Sequence, residues 1–207
     1  MPSCDDIPAE LLLPIDWAFA PDSARPPEGD AMLPPDIQDE VDRLAEEGNA
    51  WMDAGEYVQA LAAFRRGIEV LPPPRDRWDA AMWFLAGIGD ALWFLGCHVN
   101  ARPIWDDAIV FVGGFGNAFV HLRRGQTMYE LGDYGEAANE LLRALLLGGA
   151  ELFADDSRKY WDFITSRARP PEGMASWEGW AGAEPGSPLH DWLMNPGVYE
   201  FRHVPPD

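Results

Sequence analysis

Gly48-Asn49-Ala50-Trp51, then Gly55-Glu56-Tyr57, Ala60, Phe64 and Gly67, is the stretch that decides the fold, because its pattern occurs three times. The second copy reads Gly89-Asp90-Ala91-Leu92, Gly96-Cys97-His98, Ala101, Trp105 and Ala108. The third reads Gly125-Gln126-Thr127-Met128, Gly132-Asp133-Tyr134, Ala137, Leu141 and Ala144. Offsets from first glycine to second glycine, to alanine and to the large apolar residue are identical in all three. The small residues have mechanical readings. The first glycine and the alanine let two helices approach closely, and the second glycine ends a helix by accepting a left-handed backbone. The opening glycines are 41 and then 36 residues apart. The surplus falls around residues 72–78 and 113–117, between copies, where added chain costs little loop entropy.

Working outward, no proline occurs between Asp36 and Leu71, and this stretch is rich in Ala, Leu, Glu and Arg, which favour helix. Val41, Leu44, Ala45, Leu61, Phe64, Ile68 and Leu71 recur at helical spacing until Pro72-Pro73-Pro74 ends the run. The same spacing predicts a second helical stretch from about Trp78 to Phe111, interrupted near Gly96. It predicts a third from about Asn117 to Leu147, interrupted at Gly132-Asp133, and a last helix from about Ser157 to Ser166. Asn117 and Asp155 or Asp156 are the expected N-caps.

The flanks differ. Residues 1–35 hold eight prolines and seven acids against Arg25, so no long helix fits. They also hold Leu11, Leu12, Leu13, Ile15, Trp17 and Phe19, too apolar for an undocked tail. Residues 165–207 return to Pro and Gly with Trp177, Trp180 and Trp192, and aromatics of that density suggest a tail lying on the helical body. The expected organisation is a Pro-rich acidic arm (1–35), a helical domain (36–164) and a Pro/Gly/Trp-rich tail (165–207).

The threefold pattern resembles the tetratricopeptide repeat, a helix–turn–helix of about 34 residues. The resemblance implies an all-α solenoid of about three repeats, with residues 151–164 supplying the capping helix a solenoid requires. His121 and Arg124 depart from it, standing where many such repeats carry tryptophan and leucine. A narrower likeness rests on Gly116-Asn117-Ala118-Phe119-Val120-His121-Leu122-Arg123, Gly125-Gln126, Glu130-Leu131-Gly132-Asp133 and Lys159-Tyr160-Trp161-Asp162-Phe163-Ile164. These strings resemble bacterial tetratricopeptide proteins associated with polymorphic-toxin loci, which are candidate immunity proteins. What this implies is an immunity protein that binds and neutralises a cognate toxin.

In that repeat class the first helix of each pair lines a concave groove. The implied partner-binding residues are Glu46, Asn49 and Asp53 in the first copy, Trp83, Asp90 and Trp93 in the second, and Phe119, Arg123, Tyr129 and Glu130 in the third. Asp42, Met52, Phe94 and Gln126 share those faces. Aromatic anchors among carboxylates suit a protein partner that presents Lys or Arg. With Arg123 the sole base there, the groove does not suit an acidic peptide terminus. Three alternatives stand beside the immunity reading. One is a general adaptor or secretion chaperone, another a sensor in which a peptide displaces an arm. In the third, the aromatics simply pack against the chain's own flanks.

Charge bounds the partners. Of 207 residues, 35 are acidic and 15 are Lys or Arg, for a formal charge of −20, and Lys159 is the only lysine. Such a chain is a poor match for nucleic acid or an anionic membrane surface. The electrostatically natural partner is a basic protein, here a basic toxin domain. Cys4 and Cys97 form no C-x-x-C, so reduced thiols in a cytoplasm are expected. The N-terminus lacks the basic and apolar regions of a signal peptide, and no apolar run approaches the roughly 18 residues of a membrane helix. A soluble, cytoplasmic protein is the resulting expectation.

Chemistry is harder to find. His98, His121, His190 and His203 fall into neither H-E-x-x-H nor zinc spacing. No G-x-S-x-G occurs. Gly113-Gly114-Phe115-Gly116-Asn117 lacks the Gly-Lys-Ser/Thr of a phosphate loop and reads as a turn between copies. The pairs Glu46-Glu47, Asp106-Asp107 and Asp155-Asp156 read as solvated faces or caps. The expectation is no enzyme, no cofactor and no metal.

Overall fold

The computed structural model describes residues 4–17, 32–110 and 114–195. Phe19, Phe111, Gly113 and His203 lie outside the described residues. Within them all regular structure is helical and no strand occurs. The α-helices are α1 (Pro35–Asp53), α2 (Tyr57–Val70), α3 (Asp79–Phe94), α4 (His98–Val110), α5 (Ala118–Glu130), α6 (Tyr134–Gly148), α7 (Arg158–Thr165) and α8 (Pro188–Leu193). They fall into two compact units, residues 1–114 and 115–207.

In the first unit α1 packs on α2, α2 on α3 and α3 on α4, and α1 also touches α3. The glycine pattern explains the pairing. Gly96 turns the chain from α3 into α4 at φ 73°, a backbone that costs other residues energy, and Gly55 and Gly132 do the same at their turns. At Gly89, a Cβ would come 2.5 Å from the Trp105 ring, so only a bare α-carbon lets that indole lie on α3. Gly48 stands in the same relation to Phe64. Trp105, Phe64, Phe84, Leu85 and Ile88 are sealed from solvent as a result.

The N-terminal arm is docked on this unit through its described part. Ile7 and Trp17 are buried. Arg65 donates to the Leu13 carbonyl (2.8 Å) and Arg75 to the Asp16 carbonyl (2.7 Å). The Arg75 amide donates to the Trp17 carbonyl (3.1 Å), and the Trp17 indole donates to Asp107 on α4 (3.1 Å). Cys4 and Cys97 correct the expectation of reduced thiols: they are joined in a disulfide, with Cα atoms 5.5 Å apart. Their separation of 93 residues hides a contact that exists only once the arm folds back.

In the second unit α5 packs on α6, which also carries α7 and α8. Asn117 caps α5 as expected, its side chain accepting from the Phe119 and Val120 amides. The N-cap of α7 is a correction. That position falls to Ser157, which makes no side-chain cap bond. Asp156 is instead held by Arg123 at 3.1 Å. His121 and Arg124 account for themselves in a buried polar cluster. The ring nitrogens of His121 lie 2.6 Å from Glu140 Oε2 and 2.8 Å from the Phe115 carbonyl, while Arg124 donates to Glu140 Oε1 at 2.6 Å. The tail runs over α6. Trp177 is buried, Trp180 Nε1 donates to the Leu145 carbonyl, and Arg143 donates to the Leu193 carbonyl. Among the described residues no helix is long and apolar enough to cross a membrane.

Candidate functional site

In the first unit the sequence-derived residues are mixed: Glu46, Asn49, Asp53 and Trp83 are exposed, whereas Asp90 and Trp93 are half-buried, with Asp90 Oδ1 shielded from solvent; those of the second unit are engaged within it. On α3, Trp83, Asp90 and Phe94 stand at i, i+7 and i+11, which at 3.6 residues per turn puts them on one face over about 16 Å. Trp83 is 38% exposed yet leans edge-on against Phe64, centroids 5.6 Å apart. Phe94 is 42% exposed and stacks on Tyr57 at 5.0 Å and 12°. Trp93 is half-buried, edge-on to Phe94 at 5.1 Å and to His98 at 6.1 Å. Each ring is therefore pinned from within the unit and still offers surface to solvent.

On α1, Glu46, Asn49 and Asp53 fall at i, i+3 and i+7, and all three are exposed. Among the described residues neither Glu46 nor Asp53 has an ion-pair partner. Their neighbour Glu47 is different. Arg66 from α2 and Arg43 from α1 bond to it and hold its carboxyl below the usual range. One side of α1 is thus neutralised internally while the other stays anionic. Trp51, 38% exposed at the end of α1, and Tyr57, under Phe94, were missed as site residues. Both belong to the repeated pattern, so that pattern was the available signal.

In the second unit the third-copy residues are turned to internal use. Arg123 pairs with Asp156, donates to Gln126 and lies 5.2 Å from the Phe119 ring. Gln126, expected on the groove, is completely buried. Tyr129 sits in a nest of Tyr134, Tyr160 and Phe163, with ring centroids 5.0–5.4 Å away. Glu130 accepts from Tyr160 Oη and from Lys159 Nζ, each at 2.6 Å. Burial, then Glu130, push the Tyr160 hydroxyl above its ordinary value, so it stays a donor. The physical reason is α7: its buried Tyr160 and Phe163 and its flanking Lys159 occupy what the third copy was expected to offer a partner.

A cavity of about 250 Å³ lies beside α7, lined by Phe153, Asp156, Arg158, Trp161 and Glu178 among others. Arg158 of its lining stands over the Trp161 ring at 5.9 Å and donates to Asp162 at 2.9 Å. Among the described residues no three His, Cys, Asp or Glu side chains gather as a metal ion would require. The chain matches no known family model and no curated protein.

Proposed function

We propose that this chain is a protein-binding module of tetratricopeptide type. In this reading it captures a basic protein partner, a cognate bacterial toxin domain, on the α1 and α3 surface of the first unit, and neutralises it by covering its basic face. The observation that carries the reading is Trp83 and Phe94, each more than a third exposed, flanking Asp90 on one face of α3. Glu46 and Asp53, without an ion-pair partner among the described residues, lie on the neighbouring helix. Exposed rings already held by Phe64 and Tyr57 lose little freedom on binding, and such anchors dominate protein interfaces. Carboxylates beside them suit guanidinium and ammonium groups through ion pairing and cation–π contact. The charge of −20 would speed encounter with a basic partner. The repeat assignment is supported by the three glycine-spaced helix pairs. The toxin as partner rests on the likeness of residues 116–133 and 159–164 to immunity proteins.

The test is capture of the tagged full chain from its native cells, beside a Trp83→Ala/Phe94→Ala double variant. One dominant basic partner is expected, lost in the variant and toxic to cells unless the wild-type chain is co-expressed. A partner retained by the variant would move the surface elsewhere. Several weak partners would favour the adaptor reading.

A further inference from the structure

The arm of the first unit is held in two different ways along its length. Among the described residues, all its hydrogen bonds to the rest of the unit come from residues 13–17: the Leu13, Asp16 and Trp17 carbonyls and the Trp17 indole. Residues 4–12 contribute only local turns, Ile7 to Cys4 and Leu11 to Pro8. What fixes that stretch to the body is buried Ile7, the packing of residues 9–12 on α2, and the Cys4–Cys97 bond. The two cysteines are not equally exposed. Cys97 is 1% exposed just before α4, while Cys4 is partly open to solvent.

We propose that Cys4–Cys97 is a redox latch. Bonded, it holds residues 4–12 on α2; reduced, it lets them lift while residues 13–17 keep the arm attached. An external dithiol supplies the two electrons. Its thiolate attacks the reachable Cys4 sulfur, the S–S bond breaks and Cys97 leaves as thiolate. The second thiol of the reductant then attacks the mixed disulfide and releases Cys4. The two protons of the reductant end on Cys4 and Cys97, and the reductant leaves as its own disulfide. The Cys97 thiol so formed has an acceptor waiting, the Leu95 carbonyl 3.7 Å away. A reducing cytoplasm would hold the latch open and an oxidising compartment would close it.

The test uses the full chain prepared in air. Iodoacetamide labelling with intact mass is expected to find no reactive thiol before dithiothreitol and two after it. Limited chymotrypsin digestion is expected to cut after Leu11 and Leu12 about tenfold faster or more after reduction, with the far-ultraviolet dichroism unchanged. Cys4→Ser, a change at the exposed end of the bond, should digest at the fast rate with or without dithiothreitol. Two reactive thiols in protein treated with a mild oxidant would overturn the proposal. So would a bond whose reduction leaves the cutting rate unchanged, or one whose reduction unfolds the helices.

Discussion

A methyl group added at Gly89 would lie 2.5 Å from atoms of the Trp105 ring, an indole with no solvent exposure. Gly89→Ala should therefore destabilise the first unit by about 1–3 kcal/mol, the usual cost of overpacking, as read from urea unfolding. At Gly135, near the start of α6, an added Cβ would meet nothing within 4 Å, so Gly135→Ala should be neutral or stabilising by up to about 1 kcal/mol. Equal effects at the two sites would mean that the repeat's first glycine is not a packing residue. Asp107 offers a different test. Burial raises its carboxyl above the ordinary value of 3.8, with the Trp17 indole opposing and Asp106 adding to the rise. The folded state thus disfavours the ionised form, and this residue should cost stability as pH rises from 3.8 through its raised folded value. Asp107→Asn keeps an oxygen for the Trp17 donor and should remove that part of the pH slope. An unchanged slope in urea midpoints across that range would refute the assignment.

Between elements, the tie most exposed to single substitution is Glu140 on α6. Its carboxylate is 1% exposed and joins His121 and Arg124 of α5. Glu140→Ala removes the buried acceptor of His121 and the nearer carboxylate of Arg124, leaving Glu136 at 3.8 Å, and should cost about 3–5 kcal/mol, seen as lost amide-exchange protection in α5 and α6. A loss under about 1 kcal/mol would show the cluster to be incidental. This cluster also marks how far the sequence could be read. His121 and Arg124 were visible as departures from the repeat, because the pattern says what each position packs against. Their partner was not, because Glu140 lies on another helix and nothing local singles it out. The paired helices, their turn glycines and the Asn117 cap were legible for the opposite reason, each being fixed by residues within one or two turns. On α3 the repeat alignment pointed to positions whose Trp83 and Phe94 rings are exposed. On α5 the same alignment pointed to Tyr129 and Glu130, which meet Tyr160, Phe163 and Lys159 of α7, an element whose placement the alignment does not encode. The Cys4–Cys97 bond was invisible on the same ground.

At the scale of the whole molecule, the first unit presents exposed Trp51, Trp83 and Phe94 with Glu46 and Asp53 on α1 and α3, while the third-copy residues of α5 serve internal contacts. A partner is therefore expected on the first unit, against those two helices. Hydrogen exchange of the full chain, with and without the captured partner, tests that placement most directly. New protection should appear across residues 46–53 and 83–94, with residues 118–130 and 158–165 unchanged. Protection confined to those latter segments, with α1 and α3 unaffected, would contradict it.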